Sequence, residues 1–241
     1  MIRRIIYLAA LACIGIATVA LQFDRQAALD PQFARITPEP ARAFAQAVVA
    51  TKAVGSGEAG TALHEARTLV ARRPMPAESL RVLAQAQLRA GDGEKALTTL
   101  QLGAQRGWRD PASQEAMMRL ALAAGDREEA TRRFLALLVL DGTSEELLQS
   151  SATVVFNAGD RRAETLASEI LALSERWHDR FLQKGSRVIP PEAFARVVAA
   201  AALAGAQFEC APLGQTAKTI GARNRSAART LDEIECDDGM S

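Results

Sequence analysis

A Gly-Asp dipeptide recurs in this chain at a constant spacing of 34 residues. The three dipeptides are Gly91-Asp92, Gly125-Asp126 and Gly159-Asp160. One further step toward the N-terminus reaches Gly57, which is followed by Glu58. A fixed period of this length is typical of stacked helical hairpins, in which each repeat is one helix–turn–helix unit. The spacing therefore predicts an all-α protein built from antiparallel helical hairpins.

Each dipeptide has the composition of a tight joint between two helices. Glycine can adopt the left-handed backbone conformation that ends a helix, because it has no Cβ atom to clash. Aspartate can then accept hydrogen bonds from the first free N–H groups of the next helix. Asp126 and Glu129 also fit a capping box. The predicted repeat joints are Gly57, Gly91, Asp92, Gly125, Asp126, Gly159 and Asp160.

The pattern resembles the tetratricopeptide repeat family in its period, its joints and several small-residue positions. The family has alanine five residues after each glycine, and this chain has Ala62, Ala96, Ala130 and Glu164. The family has an aromatic residue four positions before the glycine, and this chain has Gln87, Ala121 and Val155. The resemblance covers about residues 40–182. It implies a right-handed α-solenoid of antiparallel hairpins whose repeats are degenerate.

Apolar residues at helical spacing between the joints predict four hairpins. Their helices are 40–54 with 61–72, 77–90 with 95–105, 112–124 with 127–140, and 144–158 with 161–182. The period breaks after Gly185, where Pro191 begins an apolar helix, 191–206. We expect this helix to cap the array, and a second membrane helix is the alternative. A basic helix, 215–231, and an acidic tail, 232–241, complete the chain.

The N-terminal segment has the composition of a membrane helix. Residues 5–23 carry no charge, and as a helix they would be about 28 Å long, close to the hydrocarbon thickness of a bilayer. Arg3 and Arg4 precede them and favour the cytoplasmic side. The alternative is a signal peptide cut after Thr18-Val19-Ala20. The length of the uncharged run favours an uncleaved anchor.

Both readings place the rest of the chain outside the cytoplasm. We predict a single-pass protein of the bacterial inner membrane with its repeats in the periplasm, or a periplasmic or secreted protein after cleavage. The predicted organisation is an anchor or signal at 1–23, a Pro-containing linker at 24–39, helical repeats at 40–184 and C-terminal capping helices at 185–241.

Composition excludes several classes of function. The chain has 29 basic and 28 acidic residues, and this balance provides no basic field for nucleic acid. Aromatic residues make up only 5% of the chain, which is few for a saccharide-stacking platform. No nucleophile elbow, phosphate loop, dinucleotide fingerprint or zinc motif occurs in the sequence. We therefore predict neither an enzyme nor a cofactor or metal site.

We predict structural roles for the cysteines and histidines. Cys210 and Cys236 flank the basic helix, and in an oxidising periplasm they could form a disulfide. Cys13 lies in the N-terminal segment and matches a lipoprotein site poorly. His64 and His178 are isolated along the sequence, and we predict that both are helix-surface residues.

The candidate binding surface is the face formed by the first helix of each hairpin, which lines the concave side of a solenoid. Helical spacing places seven polar residues there: Arg81, Gln85, Arg89, Glu115, Arg119, Gln149 and Asn157. They could bind an extended peptide by hydrogen bonds and ion pairs, or they could simply be solvated. We predict a membrane-tethered scaffold for other envelope proteins. The alternative function is a periplasmic module that binds a small ligand or a polysaccharide.

Overall fold

The computed structural model describes residues 2–157 and 159–237. These residues form helices, turns and one isolated parallel β-bridge between Glu209 and Asp237, so the protein is all-α as predicted. The chain divides into two compact units. Unit 1 ends at Gly107 and unit 2 begins at Trp108, so the division lies inside the segment predicted as one array of repeats.

The described residues of unit 1 form six α-helices, and α3 to α6 pack in sequence, each against the next. They are α1 Ile2–Gln26, α2 Phe33–Ile36, α3 Phe44–Ser56, α4 Ala59–Arg72, α5 Ala77–Arg89 and α6 Gly93–Arg106. The core between α3, α4 and α5 is made of small and medium side chains, because alanines face one another where the helices approach closely. Its buried members are Ala50, Ala62, Ala66, Leu69, Val82 and Ala86.

The segment predicted as a linker is instead folded onto the rest of unit 1. Asp24, in the last turn of α1, is 3% exposed, and its carboxylate accepts hydrogen bonds from the backbone N–H groups of Ala43, Phe44 and Ala45 at 2.7–3.1 Å. These are free N–H groups at the start of α3, and α3 has no capping side chain of its own. Asp24 therefore serves as the N-cap of α3 from 19–21 residues away in sequence.

Unit 2 contains nine α-helices in the part of the chain that the structure describes. They are α7 Pro111–Ala124, α8 Arg127–Val139, α9 Glu145–Val155, α10 Arg162–Ala172, α11 His178–Arg180, α12 Ser186–Val188, α13 Pro191–Leu203, α14 Cys210–Gly221 and α15 Arg225–Asp232. A single cluster of buried apolar residues runs from Met118 to Leu231. Its largest fully buried side chains are Phe134, Phe181, Phe194 and Phe208.

Packing departs from the regular repeat in the second half of unit 2. Helix α7 pairs with α8, whereas α10 packs mainly against α8 and α13 rather than against α9. Helix α13 buries Phe194, Val197 and Val198, as expected of a capping helix. Arg196 of α13 forms a bidentate ion pair with Glu164 of α10, with N···O distances of 2.6 and 2.7 Å. The glutamate at the position where the repeat pattern expects alanine therefore holds the capping helix.

Two predicted helices are each divided in the structure. The helix predicted at 161–182 ends at Ala172, and a 3-10 turn at Glu175–Trp177 separates it from α11. Helix α11 then continues through a π-helical turn at Phe181–Gly185 into α12. Leu173, at the break, is 87% exposed and is not part of the core. The helix predicted at 215–231 is interrupted by Asn224, whose side chain accepts a hydrogen bond from the N–H of Ala227 at 2.9 Å and so caps α15.

Two of the four predicted joints have the expected geometry. Gly91 and Gly125 have φ values of 82° and 75°. In both, the N–H of the following aspartate bonds to a carbonyl five residues back, and the aspartate side chain then caps the next helix. The capping box is incomplete, because the Glu129 carboxylate pairs with Arg133 instead, at 2.7 Å.

The other two joints differ from the prediction. Gly57 has φ −84°, and Glu58 makes no side-chain cap. Gly159 is not among the glycines with positive φ in the described residues. Asp160 lies one residue too early to be the N-cap of α10, which begins at Arg162 after Arg161. A Gly-acid pair therefore does not by itself impose the left-handed joint.

Candidate interaction surfaces

The predicted concave-face residues are divided between the two units, and their surroundings are described separately. In unit 1, Arg81, Gln85 and Arg89 lie on α5, where Gln85 and Arg89 are exposed and Arg81 is half-buried. The Arg89 guanidinium donates to the carbonyls of Val54 and Gly57, at 2.8 Å for the latter. These carbonyls belong to the end of α3, so Arg89 stabilises the end of a neighbouring helix.

In unit 2, the four predicted residues make local contacts. Glu115 and Arg119 form an ion pair one helical turn apart on α7, with N···O 2.7 Å. Gln149 donates to the carboxylate of Glu145 at 3.2 Å. The Asn157 side chain accepts from the N–H of Gly159 at 3.1 Å and shapes the fourth joint. Arg119 and Gln149 remain exposed and accessible to a partner.

Sequence reasoning missed a groove in unit 1 between α2 and α3. It has a volume of about 480 Å³, and its lining includes three cationic side chains and one carboxylate: Arg35, Arg42, Lys52 and Glu65. The basic residues are visible in the sequence as isolated positions. Only the reversal of the chain after α1 brings α2 against α3 and places them around one cavity.

A second cavity lies in unit 2 beside the Cys210–Cys236 disulfide. The two sulfur atoms are bonded, and backbone hydrogen bonds join Cys210 N to Asp237 O and Asp237 N to Phe208 O. The cavity measures about 760 Å³, and its lining includes Leu203 and Ile234. No aromatic side chain lies among its described lining residues, so it offers a sugar ring no stacking surface.

His178 is buried, and the prediction of a surface residue is wrong for it. The side chain is 6% exposed, with Nδ1 3.0 Å from the carbonyl oxygen of Gln207 and Nε2 2.8 Å from that of Leu171. Its ring lies 4.6 Å from the ring of Phe208. The imidazole thus joins the end of α10 to the loop before α14 and has no carboxylate contact. His64 is exposed, as predicted.

The shifted pKa values in unit 2 arise from surface ion pairs. Hydrogen bonds from the Arg162 guanidinium and backbone lower the pKa of Asp160 to about 2, and Arg127 lies 3.8 Å away. The Arg180 guanidinium lowers the pKa of Asp141 in the same way. Hydrogen bonding to Glu164 raises the pKa of Arg196. Ion pairing accounts for all of these shifts, so none of them identifies a catalytic group.

Within residues 2–157 and 159–237, no three His, Cys, Asp or Glu side chains come together as metal ligands. Helix α1 is the one helix of this part of the chain that is long and apolar enough to cross a membrane, and its apolar window is unburied. A signal sequence would have the same length and composition.

No protein-family model matches this chain, no curated protein is detectably similar to it, and no solved structure is detectably similar to its fold. The resemblance to tetratricopeptide repeats therefore stays a prediction based on the period and joints.

Proposed function

We propose that this chain is a membrane-tethered, tetratricopeptide-like scaffold that binds partner proteins in the cell envelope and has no catalytic role. The observation that carries the proposal is the relation between α1 and the rest of unit 1. Helix α1 has 25 residues and an apolar window with no burial, yet Asp24 in its last turn caps α3. An unburied apolar helix needs an apolar surrounding, and a bilayer supplies one.

The proposed topology has Arg3 and Arg4 on the cytoplasmic side, α1 in the membrane, and the rest of unit 1 and unit 2 in the periplasm of a bacterial cell. The bias of positive residues toward the cytoplasm supports this orientation. The Cys210–Cys236 disulfide also supports it, because disulfides persist in oxidising compartments and are rare in the cytosol.

Packing just after the alternative cleavage site supports an uncleaved anchor. The site follows Ala20, and within seven residues the chain buries Asp24 and Ala27 and stacks Phe23 on Phe33 with ring centroids 5.9 Å apart. These contacts hold the end of α1 as a helix, whereas proteases act on exposed, flexible segments. The intact mass of the protein isolated from membranes would distinguish the two forms.

Exposed residues on the first helices of the hairpins form the proposed partner sites, one in each unit. On α5, the exposed Gln85 is followed one turn later by Leu88, which is 66% exposed. On α7, Arg119 is followed by the exposed Leu120. An apolar side chain beside a polar one suits a peptide contact, because the first supplies burial and the second orients the partner.

Site-specific photocrosslinking in cells tests this proposal. A photoreactive residue replaces Gln85 or Gln149 in the full-length chain, and a matched control carries it at Thr98, which is exposed on α6. We expect discrete adducts with an envelope protein from positions 85 and 149 and none from position 98. The absence of adducts from both test positions, or the same adducts from all three, would overturn the partner site.

A further inference from the structure

Helix α2 lies beside the point where α1 would leave the apolar layer of the membrane. Phe23 ends the uncharged run, and Phe33 at the start of α2 stacks on it. Arg35 and Ile36 follow Phe33 by two and three residues, a rise of only about 3–5 Å along a helix. Both residues are exposed, and Ile36 is 57% exposed. This places a cation and an apolar side chain near the headgroup level.

The groove between α2 and α3 opens from this same segment. Arg42 is fixed in its wall, because its Nε donates to the carbonyl of Thr37 at 2.9 Å. Arg35 and Lys52 are exposed and form no ion pair within the part of the chain that the structure describes. The single carboxylate of the lining, Glu65, accepts a hydrogen bond from Gln46 at 2.6 Å. Three cations against one paired carboxylate leave the groove with a net positive charge.

We infer that this groove binds the phosphate headgroup of an anionic phospholipid in the leaflet from which α1 emerges. The inference rests on the proposed anchoring of α1. Guanidinium and ammonium groups are the side chains that bind phosphate oxygens most strongly. Basic residues next to a membrane span also attract anionic lipids.

The surroundings of the groove favour a lipid over free phosphate. Leu29 and Ile36 are 83% and 57% exposed and lie six residues before and one residue after Arg35 in the sequence. Exposed aliphatic residues on either side of a cation would cost solvation in water, but they insert favourably at the boundary of headgroups and acyl chains. The bound headgroup would hold α2 and α3 against the membrane surface.

The test is native mass spectrometry of the full-length protein in detergent. It compares retention of phosphatidylglycerol with that of phosphatidylcholine carrying the same acyl chains. Arg35→Glu/Lys52→Glu reverses two groove charges, and Lys218→Glu/Arg229→Glu makes the same charge change at exposed positions of unit 2. We expect the preference for phosphatidylglycerol to fall about tenfold in the groove variant and to be unchanged in the control.

Four results would overturn the inference. The wild-type protein could show no preference for the anionic lipid, the groove variant could keep the preference, both variants could lose it equally, or excess inorganic phosphate could displace the lipid. Alkaline extraction of membranes containing the same proteins tests the anchor separately, because it measures whether each protein stays in the membrane. If every variant stays in the membrane while the groove variant keeps its preference, the anchor stands and the headgroup site fails. If the wild-type protein is extracted, the proposed anchoring itself fails.

Discussion

The core cluster of unit 1 contains only small and medium aliphatic side chains, whereas that of unit 2 also contains buried phenylalanines. Between α3, α4 and α5, four of the six buried cluster members are alanines. In unit 2, Phe181 and Phe194 stack with ring centroids 5.4 Å apart, and Phe134 meets Phe156 edge to face at 5.5 Å. Each aromatic residue buries far more apolar surface than an alanine does.

The difference shows two ways of stabilising similar helices. Unit 2 relies on buried volume, and it adds the Cys210–Cys236 disulfide and the Glu164–Arg196 ion pair. Unit 1 relies on close approach of helix backbones and on hydrogen bonds that satisfy helix ends, such as those of Asp24 and Arg89. We therefore expect unit 2 to tolerate loss of an end contact better than unit 1, and unit 1 to be more sensitive to added volume.

Removal of an aromatic ring from the core of unit 2 gives the largest expected effect. Phe194 is fully buried, so Phe194→Ala leaves a cavity and should lower the free energy of unfolding by about 3–5 kcal/mol. Hydrogen exchange resolved by peptide should show the loss in α10 and α13 with little change in α4 and α5. Leu173→Ala is the control, because Leu173 is 87% exposed, and its change should stay within about 0.5 kcal/mol. Equal effects of the two variants would contradict the aromatic core.

Loss of the disulfide comes next. The bond closes a loop with a sequence separation of 26 residues, and its removal by Cys210→Ala/Cys236→Ala should cost about 3 kcal/mol, because the unfolded chain regains conformational entropy. The measurement is urea unfolding followed by Trp177 fluorescence, with Trp108→Phe as the background. Unchanged stability, or free thiols in protein isolated without reductant, would show that the bond is not formed in the cell.

Added volume should affect unit 1 in particular. Ala66 is fully buried between closely packed helices, so Ala66→Leu should cost about 1–3 kcal/mol through overpacking. The matched control is Ala71→Leu on the same helix, where the side chain is exposed. Exchange protection in α3 and α4 is the readout. If Ala66→Leu were neutral, the core of unit 1 would be looser than its contacts imply.

The joints give a smaller effect that differs between positions. Gly125 has φ 75°, so Gly125→Val forces a β-branched residue into the left-handed region and should cost about 1–2 kcal/mol. Gly159 is not among the described glycines with positive φ, and the nearest atom to an added Cβ is 3.7 Å away. Gly159→Val should therefore cost less. Thermal unfolding measures the loss of stability in each variant. A larger loss for Gly159→Val than for Gly125→Val would contradict the difference between the joints.

Acid titration gives the smallest effect. Hydrogen bonds from Arg162 lower the pKa of Asp160 from 3.8 to about 2. The stabilisation from this carboxylate is therefore present above pH 3.8 and is lost as the pH falls through about 2. Carboxyl NMR should give a midpoint near 2 for Asp160, and Arg162→Gln should move it upward. A midpoint near the ordinary value in the wild-type protein would exclude the ion pair in solution.

Sequence periodicity predicted α3 to α6 of unit 1 and the first hairpin of unit 2, because local propensity and apolar spacing determine them. The bounds of α5 and α8 differ from the predicted ones by a single residue. Periodicity failed in the helix predicted at 161–182, because α10 ends at Ala172 and the next residue, Leu173, lies outside the core. Next to the break, the carbonyl oxygen of Leu171 lies 2.8 Å from Nε2 of the buried His178, and apolar spacing does not reveal this contact.

The candidate sites depended even more on contacts distant in sequence. The burial of His178 and the groove around Arg35 and Lys52 each require segments that are brought together only by folding. The predicted concave-face residues were chosen by helical phase alone. That procedure could not reveal that Arg89 is already bound to the end of α3.

The capping of α3 by Asp24 also fixes a rotational phase. An α-helix turns about 100° per residue, so one residue inserted between Phe23 and Asp24 would swing the carboxylate to another side of α1. Insertion of a full turn would restore the direction but lengthen the span by about 5 Å. The spacing between the uncharged run of α1 and Asp24 thus sets which side of α1 the rest of unit 1 faces, and another apolar helix could replace α1 only if it preserved both the length and the angle.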